Sequence, residues 1–119
     1  KRWGDAPAIV VVEPDAAPAL TESARAGRLV TTEGPVSAMG RLDCKTPSMI
    51  ALAGLLRDAD AFVTVSEAEA GHAVARLAAH GIDTTPSGAA GVAALLARSP
   101  ELPADARVLA VLSEGPEVG

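Results

Sequence analysis

The sequence is poor in several residue types, and each shortage closes off a class of function. One cysteine, Cys44, stands among 119 residues, so no disulfide can close within the chain and no cysteine-rich metal site can form. Aromatic residues amount to 2%, with no tyrosine, which argues against an open surface that stacks bases. Positive charge is scarce as well: Lys and Arg number 10 against 15 Asp and Glu, for a net charge of −5. No basic field is available to hold a phosphate backbone, so nucleic acid is not an expected partner. Lysine occurs only as Lys1 and Lys45. No apolar run approaches the roughly 20 residues needed to cross a bilayer. The opening Lys-Arg-Trp-Gly-Asp has no secretory apolar stretch, and the cytoplasm is the expected location.

What is present is a core-forming mixture. Hydrophobic residues make up 49%, chiefly Ala, Val and Leu, which suit close packing of helices on a sheet. The length fits a single α/β unit over 1–119, burying roughly two-thirds of its unfolded surface.

Periodicity divides the chain into alternating elements. Ala8 to Glu13 is a β-branched run of the kind buried on both faces of a sheet. Asp15 is placed to cap a helix over Ala16 to Ala26, with Pro18 in its first turn and Gly27 as its stop. Leu29 to Thr32 reads as a short strand, and Glu33 to Asp43 as an ordered loop without period. Loops of that length in compact domains are often functional. Pro47-Ser48 opens a helix whose apolar face is Met49, Ile50, Leu52, Ala53, Leu55 and Leu56. Asp60 to Val65 is a second strand, and Ser66 with Glu69 forms a capping box for a helix running to His80 and stopped by Gly81. That helix is expected to bury Ala70, Val74, Leu77 and Ala78. Arg107 to Leu112 is a third buried-type strand, ending in Ser113-Glu114-Gly115. The alternation predicts a three-layer, mostly parallel sheet with helices on both faces. In such sheets ligands bind off the carboxyl ends of the strands.

The chain reads as organised around Thr84 to Leu96. Pro86 fixes the approach, Ser87 is placed to cap, and Gly88, Ala89, Ala90 and Gly91 leave the first helical turn almost bare. Such a turn offers free N–H groups and a positive dipole end to an anion or a flat ring, or serves simply for tight packing. Other candidates are thinner. His72 and His80 lie eight apart without an intervening ligand and do not read as a metal pair. Cys44 has no feature fixed beside it that would activate a thiolate. Asp58, Asp60, Glu67 and Glu69 read as a solvated acidic rim.

Five stretches in order carry a resemblance. They are Val11-Val12-Glu13-Pro14, Gly40-Arg41-Leu42-Asp43-Cys44-Lys45-Thr46-Pro47-Ser48, Asp60 to Ser66, Pro86-Ser87-Gly88-Ala89-Ala90-Gly91, and Leu112-Ser113-Glu114-Gly115. Together they resemble the C-terminal part of the tryptophan-synthase-like, fold type II pyridoxal-phosphate enzymes, above all diaminopropionate ammonia-lyase and its threonine-synthase-like relatives. The resemblance implies a partial fold type II large domain. It implies cofactor contacts from Ser113, whose hydroxyl would bond the pyridine nitrogen, and from Ser87, Gly88 and Glu114. It implies substrate contacts from Asp43 and Cys44. The family's Schiff-base lysine and glycine-rich phosphate loop precede this region, so the chain carries no catalytic residue of its own. Arg41 and Lys45 stand where the family has glycines, and Pro86 where it has glutamate. Pyridoxal phosphate would be held only with the missing N-terminal portion, and the completed enzyme would take an amino-acid substrate through β-elimination to ammonia and a 2-oxo acid. Association with that portion, or a homodimer, is therefore expected. The alternative is a stand-alone, non-catalytic α/β module that binds a small anion or a protein.

Overall fold

The computed structural model describes residues 7–98 and 100–116. Two strands, β1 (Val10–Pro14) and β2 (Ala61–Val65), pair in parallel, with Val10 opposite Ala61 and Pro14 opposite Val65. The pairing runs one bond further, through the Asp15 N–H to the Val65 carbonyl at 2.8 Å. Four helices surround them: α1 (Ala19–Ala26), α2 (Met49–Asp58), α3 (Glu67–Ala79) and α4 (Pro86–Leu96). They pack as two pairs, α1 with α2 and α3 with α4, and both α1 and α4 touch the two strands. The class is α/β with a parallel sheet, as the alternation predicted.

The core lies between α3, α4 and the sheet. Ala70 and Ala73 of α3 share it with Ala89, Ala90, Ala93 and Ala94 of α4, Val65 of β2 and Met39 from a loop. Alanines on both helices let their backbones approach closely, so the two pack without large side chains. Val74 and Leu77 cover the cluster's edge, whereas Ala78 is exposed and Ala73 takes the buried position instead.

Several expectations are corrected. Arg107 to Leu112 is not a strand among the described residues, and the sheet has two strands. An apolar run of strand type needs a ladder partner to become a strand, and this one makes no main-chain hydrogen bond among the described residues. Its side chains are open: Leu109 is 90% and Val111 74% exposed. Leu29 to Thr32 is also irregular, held by one main-chain bond from the Thr32 N–H to the Lys45 carbonyl.

Helix α1 begins three residues later than predicted. Asp15 and Ala16 form a turn closed by the Ala17 N–H on the Pro14 carbonyl, and Pro18 occupies the N-cap without a side-chain bond. The capping carboxylate comes instead from Glu13 at the end of β1. It accepts from the Leu20 and Thr21 N–H groups at 2.9 and 2.7 Å, and from the Thr21 hydroxyl. A buried anion at the positive end of the dipole links strand to helix directly. Gly27, at φ +71°, closes the helix as expected. Helix α2 opens after Pro47-Ser48 as predicted, with Ser48 as its cap, but of its apolar face only Leu52 is buried; Met49 and Ile50 are 73% and 88% exposed. The Ser66–Glu69 capping box of α3 is present in both directions.

Candidate functional site

Helix α4 begins differently from its sequence expectation, and the difference builds the site. Thr85, not Ser87, is the N-cap: its hydroxyl accepts from the Gly88 N–H at 3.1 Å, and Pro86 fills the first helical position. A threonine followed by proline and two small residues is a readable start signal, ahead of the serine that the sequence reading favoured. Proline has no N–H, Gly88 is capped, and the Ala89 N–H bonds the Thr85 carbonyl at 2.9 Å. Of the four positions whose donors a helix start leaves over, Thr85 to Gly88, only the N–H groups of Thr85 and Ser87 are unaccounted for by these bonds. Ser87, Gly88, Ala89 and Ala90 are all buried. The expectation of several open N–H groups for an anion is corrected accordingly.

The bare turn has a different occupant, the backbone of Glu114. A Cβ on Gly88 would collide with the Thr84 hydroxyl and lie 3.3 and 3.4 Å from the Glu114 carbonyl oxygen and nitrogen. The Thr84 hydroxyl donates to that same carbonyl at 2.6 Å, and the Thr85 hydroxyl donates to the Glu114 carboxylate at 2.6 Å. Three residues further along α4, a Cβ on Gly91 would touch that of Ala110 at 3.6 Å. The glycines of α4 thus form a track on which the C-terminal segment lies. The glycine at position 88 is needed because another backbone passes at contact distance.

A third stretch of chain closes the junction. Gly40–Leu42 forms a short 3₁₀ turn, and the Arg41 N–H donates to the Ser87 hydroxyl at 3.1 Å. The Arg41 guanidinium lies 3.4 Å from the other Glu114 carboxylate oxygen. Its side chain is 82% exposed, so this ion pair contributes little to stability and chiefly orients Glu114. Ser87, Gly88 and Glu114, proposed from sequence, therefore meet in one place, joined by Thr84, Thr85 and Arg41. The two threonines read only as a turn in the sequence. Ser113 sits next to clamped Glu114, exposed and without a hydrogen bond among the described residues, so its hydroxyl is open to a ligand.

Asp43 and Cys44 do not bond to this junction. The Asp43 carboxylate accepts from the Lys45 ammonium at 2.6 Å, and this hydrogen bond holds its carboxyl below the ordinary value of 3.8. Cys44 is exposed and free. The loop carrying both is strongly anchored. Glu67, at the start of α3, accepts from the Ser37 hydroxyl at 2.6 Å and the Ala38 N–H at 2.8 Å, which seats Met39 in the core. Glu67 is thus an anchor rather than only part of an acidic rim. His72 and His80 lie on the exposed surface of the α3 region.

The α/β unit thus clamps Glu114, the residue after Ser113, over the glycines of α4. The model of the pyridoxal-phosphate dependent enzyme family matches residues 1–114, and the chain belongs to that family. No curated protein sequence matches the chain. Among solved structures it resembles an L-serine ammonia-lyase from the fungus Rhizomucor miehei, with 26% identity and a TM-score of 0.83, over 99% of this chain and 39% of that one. It also resembles a threonine deaminase from T.th., with 27% identity and a TM-score of 0.79, over 87% of this chain and 38% of that one. Maize serine racemase shares the fold at 22% identity and a TM-score of 0.75, over 81% of this chain and 30% of that one. The chain thus spans less than two-fifths of each of these structures. The family's cofactor is pyridoxal phosphate. The residues present suit one part of it, since an open hydroxyl at Ser113 is an uncharged partner for a ring nitrogen.

Proposed function

We propose that the chain is the C-terminal part of a pyridoxal-phosphate-dependent amino-acid lyase that releases ammonia and a 2-oxo acid by β-elimination, and that it is not catalytic alone. The observation that supports this reading is the Glu114 clamp, in which the Thr84 and Thr85 hydroxyls and Gly88 hold the residue next to Ser113 against the start of α4. When bound, pyridoxal phosphate supplies the electron sink that stabilises negative charge at the substrate's α-carbon. Ser113 would bond the ring nitrogen without donating a full charge, which moderates that sink and favours elimination over transamination. Ser87, Gly88 and Glu114 would border the ring, while Asp43 and Cys44 would lie toward the substrate.

The chain's only described lysine supports the dependence on a further portion. All three N–H donors of the Lys45 ammonium are engaged by protein oxygens, so it is not poised to hold the cofactor. The missing lysine and phosphate loop would come from the remaining three-fifths of the fold, and that portion would cover Val108, Leu109 and Val111. Substrates would be amino acids with a β-hydroxy or β-amino leaving group, the first matching the names of the serine and threonine enzymes above.

The test is reconstitution. The chain is mixed with a polypeptide supplying the lysine-bearing N-terminal portion of this fold, together with pyridoxal phosphate, and ammonia release from serine, threonine and 2,3-diaminopropionate is measured. Expected are a stable complex, visible absorbance of protein-bound cofactor, and ammonia from at least one substrate. A complex that binds the cofactor yet releases no ammonia overturns the lyase reading. Absence of any complex overturns the dependence on a second portion.

A further inference from the structure

The 3₁₀ turn and the residues just after it carry two ion pairs, and in each the positive partner is the more exposed. Arg41 is 82% exposed against 22% for Glu114, and Lys45 is 27% exposed against 17% for Asp43. The two cations differ in the donors they have free. The Lys45 ammonium has all three N–H groups on protein oxygens. The Arg41 guanidinium makes no hydrogen bond among the described residues: its Nε faces a Glu114 carboxylate oxygen at 3.4 Å as an ion pair, and its five N–H donors are open to a ligand or water.

The backbone fixes where this charge stands. The Arg41 N–H donates to the Ser87 hydroxyl at 3.1 Å, and the Leu42 N–H closes the turn on the carbonyl of wholly buried Met39 at 2.9 Å. Arg41 is thereby joined to Ser87 and Glu114, two of the residues proposed to border the cofactor, and Glu114 directly follows Ser113. It stands where the family resemblance has a glycine, so a charged side chain occupies a place that the family's pattern leaves without one.

Asp43 acts in the same direction. Its carboxylate, proposed to lie toward the substrate, already accepts from the Lys45 ammonium at 2.6 Å. A substrate ammonium on the β-carbon would have to displace that lysine. A substrate carboxylate would instead meet a planar fork of open donors, suited to two parallel N–H···O bonds. The exposed pair with Glu114 is weak, and a ligand carboxylate competes with it readily. We propose that Arg41 is a specificity-determining residue that selects amino acids bearing a second carboxylate on the β-carbon, 3-hydroxyaspartate being the β-hydroxy example, over the cationic 2,3-diaminopropionate. The inference rests on the proposed function and deepens it by naming the substrate class.

The test titrates the cofactor-loaded complex of the full chain and its N-terminal portion by calorimetry. The probes are aspartate, alanine and 2,4-diaminobutyrate, which share the amino-acid head and carry no β-hydroxy or β-amino leaving group. Ammonia release from 3-hydroxyaspartate and serine is then measured on the same complex. Aspartate should bind about tenfold more tightly than alanine, and 2,4-diaminobutyrate no better than alanine. Arg41→Gly should bring aspartate and alanine within about twofold of each other. Arg41→Lys keeps the charge without the fork and should keep part of the preference. Equal binding of aspartate and alanine, a preference that survives Arg41→Gly, or tightest binding of 2,4-diaminobutyrate overturns the proposal. The two readings fail separately. An aspartate preference lost in Arg41→Gly, with no ammonia from either substrate, supports the proposal and overturns the lyase reading. Ammonia from serine without any aspartate preference does the reverse.

Discussion

The loop over residues 31–48 and the segment over residues 107–112 exchange the roles their sequences suggest. The loop has no period and contains Gly, Pro and isolated charges, yet it is bonded to the turn after β1, to α3 and to α4. The segment is Arg-Val-Leu-Ala-Val-Leu, a strong strand pattern, yet its backbone makes no main-chain bond among the described residues and Leu109 stands 90% exposed. The difference lies in where each finds its partners. A loop can be ordered by side chains that reach its backbone from elements already in place. A strand depends on a neighbouring strand, and its pattern records that need without supplying the neighbour.

The sharpest way to break this comparison is Met39→Ala. Met39 is wholly buried although it sits in the loop, so its loss should cost about 3 kcal/mol in urea unfolding, as for a core methionine. An effect near zero would return the loop to the surface. Gly88→Ala comes next. Alanine is the better helix former by up to about 1 kcal/mol, but its Cβ would collide with the Thr84 hydroxyl and crowd Glu114. A net loss of about 2 kcal/mol is expected by the same measurement, and a gain would remove the Glu114 backbone from that track. Glu67→Gln retains size but weakens two charge-assisted bonds to the loop, for an expected loss of about 1 kcal/mol.

Leu109→Ser should change the stability of the chain alone by less than about 0.5 kcal/mol, since the side chain it replaces is exposed. In complex with a lysine-bearing N-terminal portion the same substitution should visibly weaken association. The smallest effect is one of pH. The Lys45 hydrogen bond lowers the Asp43 carboxyl below 3.8, so the folded state binds its proton less readily than the unfolded chain. The stability this contributes is present above pH about 4 and is lost as pH falls through the lowered folded value. Acid unfolding of Asp43→Asn should lack that component, and an unchanged acid limb would contradict the pairing.

Helix limits were readable wherever a cap is local. Ser48, the Ser66–Glu69 box and Gly27 act through neighbours within a few residues, so short-range pattern sufficed. Glu13 caps α1 from the preceding strand across a turn, and no local rule assigns a cap to a strand-end carboxylate seven residues back. At the candidate site, Ser87, Gly88 and Glu114 were legible through resemblance. Their junction with Thr84, Thr85 and Arg41 depends on two chain segments meeting, which spacing does not reveal. Lys45 is the clearest instance. Its sequence position showed only that a lysine replaces a glycine, whereas its three oxygen partners come from residues up to 29 positions away.

Amide hydrogen exchange, measured on the chain alone and then with the complementing N-terminal polypeptide, tests the central claim most directly. The N–H groups of Ala38, Arg41 and Leu42 should be protected in both states, and those of residues 108–111 only in the complex. Loop amides that exchange as fast as the 108–111 segment in the chain alone, or a segment that stays unprotected in an active complex, would contradict it.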